Sequence, residues 1–107
     1  MRDELLPGTL DMLILKALSL APMHGYAVAQ HLRQVSQEVL RIEEGSLYPA
    51  LQRVLAKGWV KAEWRESPTK RRARYYTITV AGRKQLGQEV ASFGRMATAI
   101  QRVLRQT

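Results

Sequence analysis

The chain has 107 residues, no cysteine and a formal net charge of +8. This length fits one domain, and the lack of cysteine excludes disulfide frameworks, thiolate nucleophiles and thiolate metal sites. Apolar residues make up 46% and charged residues 24% of the sequence, which is ordinary for a globular protein and argues against wholesale disorder. The strongly basic balance predicts a polyanionic partner.

The positive charge is unevenly distributed along the chain. Residues 1–40 carry three Lys or Arg and four Asp or Glu, residues 41–76 carry nine and four, and residues 77–107 carry five and one. No apolar run approaches the length of a membrane span. Arg2 is followed by Asp3 and Glu4 instead of the apolar core of a secretory signal, so we expect a cytoplasmic protein.

Two helices are predicted in the first third of the chain. Thr9 precedes an apolar series with helical spacing, which predicts a helix from about residue 10 to residue 20 with Thr9 as its cap. His24 and Gly25 open a second helix, in which we expect Tyr26 to point inward.

A third helix is predicted from about Ser46 to Lys57. Ser46 is the expected cap, Pro49 falls in the expected first turn where its missing N–H costs little, and Gly58 is a natural C-terminal stop. Its apolar residues share one face, whereas Tyr48, Gln52 and Arg53 share the other. Such a helix presents a polar face to a partner.

From Trp59 onward the hydrophobic period changes from helical to two, which predicts a β-hairpin. Val60, Ala62 and Trp64 alternate with polar residues, a turn follows at residues 67–69, and Tyr76 lies on a returning strand. Three helices followed by a hairpin describe a mainly α (α+β) fold, the winged helix-turn-helix. In that arrangement the third helix enters the major groove of DNA.

Thr79 is the expected cap of a last helix, from about Val80 to Gln106. Apolar residues along it alternate spacings of four and three, the heptad seam of a coiled-coil-like helix. The seam residues are Leu86, Val90, Phe93, Ala97, Ile100 and Leu104. We therefore expect residues 1–79 to bind DNA and residues 80–107 to form a homodimer through this seam.

Short motifs along nearly the whole chain resemble the PadR-type transcriptional regulators. In chain order these motifs are Gly8-Thr9-Leu10, Leu13-Ile14-Leu15, His24-Gly25-Tyr26, Gly45-Ser46-Leu47-Tyr48-Pro49-Ala50-Leu51, Gly58-Trp59-Val60, Arg71-Arg72-Ala73-Arg74-Tyr75-Tyr76, and Thr79 with Gly82. The single C-terminal helix resembles the short branch of the family. The resemblance implies a homodimer that binds a roughly palindromic operator and represses transcription.

The third helix supplies the candidate groove contacts: Ser46, Tyr48, Pro49, Gln52 and Arg53. By bidentate geometry Gln52 favours adenine and Arg53 favours guanine, whereas Tyr48 suits a phosphate. Three alternatives stay open. Tyr48 can be half-buried packing, Arg53 a solvated helix charge, and Ser46 a helix cap that uses the same hydroxyl.

Lys70, Arg71, Arg72 and Arg74 are the candidate wing contacts to phosphate or the minor groove. Strand alternation places Arg72 on the same side as Arg74 and Tyr76, so we expect about half of the four cations to reach DNA and the others to be solvated charge. Related sequences often have Gly at the wing turn, where this chain has Thr69 and Lys70.

The sequence leaves an effector site and a different kind of nucleic-acid binding as alternatives. Phe93 matches a position where a multidrug-sensing relative has Trp, so the resemblance implies a possible aromatic effector near Phe93 and Met96, with plain seam packing as the alternative. A non-specific nucleic-acid-binding protein is the other candidate. No catalytic constellation, cofactor motif or metal-ligand set is visible, so we do not expect an enzyme.

Overall fold

The computed structural model describes residue 5 and residues 8–107. Residues 1–4, 6 and 7 lie outside the described residues, and with them Arg2, Asp3 and Glu4 and the first residues of the predicted DNA-binding domain. The elements are α1 (Thr9–Leu20), β1 (Met23–His24), α2 (Gly25–Val35), α3 (Glu44–Ala56), β2 (Val60–Glu66), β3 (Arg72–Ile78) and α4 (Val80–Leu104). The strands form one antiparallel sheet in the order β1-β3-β2. This arrangement confirms the predicted winged helix-turn-helix.

Helix α1 is the centre of the core. Ile14, Leu15 and Ala17 are fully buried, and Leu18 is 2% exposed. The helix contacts α2, α3, α4 and β3. Apolar residues on most of its sides explain this position, because a helix that is hydrophobic nearly all round has to be covered by neighbours.

The predicted Thr9 cap is wrong, because α1 begins one residue earlier. Gly8 occupies the N-cap position with φ 87° and makes no side-chain cap bond. Its carbonyl accepts a hydrogen bond from the Met12 amide at 3.1 Å. Glycine adopts this left-handed conformation at little cost, which lets the helix include Thr9.

Helix α2 begins as predicted, but its inward face differs. His24 is the N-cap, and its Nδ1 accepts a hydrogen bond from the Ala27 amide at 3.2 Å. The helix buries Val28 and Leu32, whereas Tyr26 is 63% exposed, so the expected inward position of Tyr26 is wrong.

Strand β1 was not predicted. Met23 pairs with Tyr76 and His24 pairs with Tyr75, which adds a third strand to the predicted hairpin. Two residues are too few to show a period of two, so the sequence carries no readable strand signal there.

Helix α3 begins two residues before the predicted start, and Ser46 is not its cap. Glu43 occupies the N-cap position without a side-chain cap bond, and Ser46 is the third helical residue. Pro49 therefore lies in the second turn, where its missing N–H removes the hydrogen bond to the Gly45 carbonyl. Gly58, at φ 75°, follows the C-cap and confirms the predicted stop.

Thr79 caps α4 as predicted and joins it to the rest of the domain. Its Oγ1 accepts a hydrogen bond from the Gly82 amide at 3.0 Å and donates one to the Gly58 carbonyl at 2.7 Å. A Cβ atom on Gly82 would lie 2.0 Å from the Trp59 carbonyl oxygen. Glycine at position 82 thus permits the close approach that fixes the direction in which α4 leaves the domain.

We expect Gly82→Ala to destabilise the fold by about 1–3 kcal/mol or more, because the added methyl group would meet backbone and not a flexible side chain. Chemical denaturation measures the difference. Gly45→Ala is the matched control: a Cβ there meets nothing within 4 Å, so helix propensity makes this variant neutral or slightly more stable. Equal effects of the two substitutions would contradict the packing argument.

Candidate nucleic-acid interface

One side of α3 is exposed and polar while the other is part of the core. Leu47, Ala50, Leu51 and Val54 are buried at 2% exposure or less. On the opposite side Tyr48, Gln52 and Arg53 are exposed, as predicted from their spacing, and Pro49 is exposed as well. The buried face holds the helix against the domain, so the exposed face has a fixed orientation.

The Tyr48 ring packs partly against α2. Tyr48 is 44% exposed, and a Cβ on Gly25 would lie 3.2 Å from the Cε1 atom of its ring. Glycine at the start of α2 therefore makes room for the ring. The structure shows the half-buried packing that the sequence left as one alternative for Tyr48, and the rest of the side chain faces solvent.

Ser46 lies exposed in the first turn of α3. The unpaired amides of a first turn and the positive end of the helix dipole favour an anion there. Glu44 lies in the same turn and opposes an anionic partner by its charge. Since Ser46 is not the cap, the hydroxyl is not committed to the helix end.

Arg53 forms an ion pair with Asp11 of α1. Its Nη2 donates to Asp11 Oδ1 at 2.9 Å and its Nε donates to Asp11 Oδ2 at 3.4 Å. The hydrogen bond to Asp11 is the main cause that raises the pKa of Arg53 above its usual range, and partial desolvation opposes it. One edge of the guanidinium is thus engaged inside the protein.

Asp11 is a functional candidate that the sequence reasoning missed. Within residue 5 and residues 8–107, it is the one buried residue with a charged side chain, at 7% exposure. A single carboxylate among the apolar residues of α1 was the available signal. A buried charge needs a partner, but the sequence does not show that this partner lies 42 residues further along.

The wing is the hairpin of β2 and β3, and its turn is strained at Lys70. Lys70 has φ 62°, the left-handed conformation that favours glycine. Its amide donates to the Ser67 carbonyl at 2.8 Å, and the Ser67 amide donates to the Arg71 carbonyl at 2.7 Å. The turn therefore holds a lysine at its tip where glycine would fit more easily.

Two of the wing arginines lie over aromatic rings on one face of the hairpin. The Arg72 guanidinium lies 5.7 Å from the Trp64 ring centre, and that of Arg74 lies 5.9 Å from the Tyr76 ring centre. This confirms the shared side that strand alternation predicted. Trp64 is 59% exposed, so this aromatic and cationic face continues into solvent.

The sequence reasoning missed Arg65 on the other face of the wing. Its guanidinium lies 5.2 Å from the Tyr75 ring centre and also pairs with Glu63 at 2.5 Å. Strand alternation in β2 was the signal, because it turns Glu63 and Arg65 to the same side. Arg71, at the first position after the turn, is exposed.

The apolar row on α4 is largely uncovered by its own domain. Leu86 is partly buried against the core, and Ala97 is intermediate. The other members of the row are exposed: Val90 50%, Phe93 54%, Ile100 48% and Leu104 76%. Exposed apolar rows of this length mark association surfaces. Met96, one turn from Phe93, is 62% exposed.

A cleft of about 870 Å³ lies next to the exposed face of α3. Tyr26, Ile42, Leu47 and Tyr48 are among its lining residues, together with Leu5. Residues of α2 and of the start of α3 line it, so Tyr48 belongs to both the cleft wall and the candidate interface.

The helix order, the polar outer face of α3 and the basic wing define a winged-helix DNA-binding protein. No helix in the described part of the chain combines the length and apolarity needed to cross a bilayer. Residues 14–88 match the Transcriptional regulator PadR-like family, and the chain belongs to this family. Its members are transcriptional regulators that bind DNA, not enzymes.

Related sequences and solved structures agree with this assignment. The chain is 42% identical over 87 residues to an uncharacterized 37.1 kDa protein in transposon TN4556 of Streptomyces fradiae, covering 81% of this chain but 24% of that protein. A PadR family transcriptional regulator from Eggerthella lenta is 29% identical, with a TM-score of 0.79 and coverage of 94% and 85% of the two chains. A PadR-like transcriptional regulator from Bacillus cereus is 27% identical, with a TM-score of 0.79 and coverage of 94% and 95%.

The strain at Lys70 leads to a stability prediction. We expect Lys70→Gly to be about 1 kcal/mol more stable than Lys70→Ala, because glycine adopts the left-handed conformation without a clash between Cβ and the backbone. Both variants lose the same charge, so the difference isolates the backbone. Thermal unfolding measures it, and identical midpoints would show that the turn is not strained.

Proposed function

We propose that the protein is a homodimeric, sequence-specific repressor that reads a roughly palindromic operator. The observation that carries the proposal is the exposed Tyr48, Pro49 and Gln52 face of α3, held rigidly by a buried opposite face. Residues 1–79 bind DNA, and residues 80–107 set the distance between the two reading helices. As a regulator of transcription, the protein acts in the cytoplasm.

Helix α3 supplies the sequence-reading contacts in this proposal. Gln52 is exposed near the middle of the helix, and its amide offers the donor and acceptor pair that adenine requires. The exposed part of Tyr48 suits a phosphate oxygen. Ser46 adds a hydroxyl donor in the first turn.

The wing supplies contacts to phosphate or to the minor groove. Lys70, Arg71 and Arg72 are exposed, and Arg74 is half-buried along the same strand. Four cations in five residues create a strong local field, and contacts to phosphate fix the position of the protein on the duplex without reading its sequence.

The seam of α4 supplies the dimer contacts. The helix has 25 residues and is therefore about 37 Å long at 1.5 Å per residue, more than the domain itself covers. Its exposed apolar residues repeat at heptad spacing, the pattern by which two helices bury a shared seam. A two-fold axis through this seam places two α3 helices symmetrically.

A small aromatic effector at the dimer centre is a second, narrower proposal. Phe93 and Met96 are both more than half exposed in a single chain. An effector site at these residues requires a second protomer to close it, so this proposal depends on the proposed dimer. Phe offers a smaller stacking surface than Trp, and seam packing remains its competing role.

Selection of DNA fragments by the purified protein tests the reading helix. We expect one palindromic motif, with loss of preference at one position in each half-site for Gln52→Ala, because one bidentate base contact is removed. Thr69→Ala, in the exposed wing turn, is the control and should keep the motif. Enrichment of unrelated fragments by the unchanged protein would instead favour non-specific nucleic-acid binding.

Salt dependence tests the electrostatic part of the same complex. With ~6–10 phosphate contacts in the dimer, affinity should fall about 10³–10⁵ fold between about 50 and 200 mM salt. Arg72→Ala should make the slope shallower by about 2, since each protomer loses one contact. A complex insensitive to salt would contradict the role of the wing.

Sedimentation tests the dimer seam. We expect Ile100→Lys to shift the protein toward monomers, because two buried lysines would face each other across the seam. Thr98→Lys adds the same charge within the same turn of α4 but away from the seam. It should remain dimeric, and equal behaviour of the two variants would contradict the proposed interface.

A further inference from the structure

The ion pair between Arg53 and Asp11 suggests a different role for Arg53 from the one its position in α3 predicts. A free arginine on a reading helix can turn its planar edges toward a guanine. Here the edge formed by Nε and Nη2 already faces Asp11, at 3.4 and 2.9 Å. Any base contact would be limited to the remaining edge or would require this ion pair to break.

Breaking the pair is unfavourable because Asp11 is buried. The Asp11 side chain is 10% exposed, while that of Arg53 is 49% exposed. A carboxylate removed from water in this way depends on its partner, and leaving it alone carries a desolvation penalty. The ion pair therefore holds Arg53 more strongly than the exposure of its own side chain suggests.

The ion pair also connects two elements with different tasks. Asp11 lies in the first turn of α1, and Arg53 lies in the last turn of α3. Helix α1 packs against α4 as well as against α3. The ion pair thus links α3 to α1, the helix against which α4 also packs.

We propose that Arg53 is a positioning residue that fixes the orientation of α3 on α1 through Asp11, and not a reader of base sequence. This inference rests on the proposed function, since it assumes that α3 reads DNA. The base contacts then belong to residues nearer the start of α3, with Gln52 as the last of them. The orientation of α3 relative to the dimer axis depends on Asp11.

Asp11→Asn tests this proposal, because asparagine has the same shape as aspartate but no charge. The substitution raises the net charge of the protein by one unit and removes the ion pair that holds the Arg53 guanidinium. If Arg53 positions the helix, Asp11→Asn weakens binding to the selected operator about tenfold although the electrostatic attraction to DNA rises. If Arg53 reads a base, the variant binds as tightly as the parent protein or more tightly, and the proposal is overturned.

Arg53→Gln and the double variant complete the experiment. If Arg53 positions the helix, Arg53→Gln binds the operator more weakly but keeps its preference at every base position. The double variant then loses little more affinity than either single variant, because both substitutions remove the same interaction. Altered preference at one position, or additive losses, would overturn it. Circular dichroism establishes that each variant is folded at the assay temperature. A parent protein with no sequence preference would refute the proposed function instead, so the two failures are distinguishable.

Discussion

The burial of α1 is the constraint on which the rest of the structure depends. Helix α1 contacts every other helix and β3, and several of its residues are fully buried, so the elements share one core. The helix proposed to read DNA and the helix proposed to form the dimer are therefore packed on one central element. A domain of this size has a small hydrophobic core. A loss of packing around Ile14 or Leu15 would therefore disturb the positions of α3 and α4 together.

The sequence predicted the elements that depend on long periodic patterns. The heptad of α4, the alternation of β2 and β3, and the two faces of α3 all repeat often enough to be read without tertiary information. The start positions of α1 and α3 were wrong by one or two residues. Side-chain caps were expected at Thr9 and Ser46. The N-cap residues are instead Gly8 and Glu43, and neither helix start has a side-chain cap bond.

The features that the sequence did not reveal depend on distant contacts. Strand β1 has two residues and exists because Tyr75 and Tyr76 offer it a partner edge. The ion pair of Asp11 joins residues 42 positions apart, so neither local spacing nor residue type identifies it. The exposed face of α3 was therefore predictable from the sequence. Separating Arg53, which is paired with Asp11, from the residues proposed to bind DNA required the fold.

The connection between α2 and α3 shows the same use of backbone strain as the wing tip. Gln37 and Glu38 have φ values of 54° and 73°, and the Glu38 amide donates to the Arg33 carbonyl at 2.9 Å. The Glu38 carboxylate pairs with Arg33 and lies 3.6 Å from Arg41. Strained backbone therefore occurs on both connections that frame the candidate interface, where surrounding hydrogen bonds hold it in place.

The stacked arginines of the wing have a further consequence. A long, flexible side chain that binds an anion loses rotamer freedom, at about 0.5–1.5 kcal/mol for each immobilised side chain. Arg65, Arg72 and Arg74 have already lost part of this freedom, because each lies within 6 Å of an aromatic ring centre on its own hairpin. These three cations of the wing are thus partly preorganised by the fold, so binding a polyanion would cost each of them less conformational entropy.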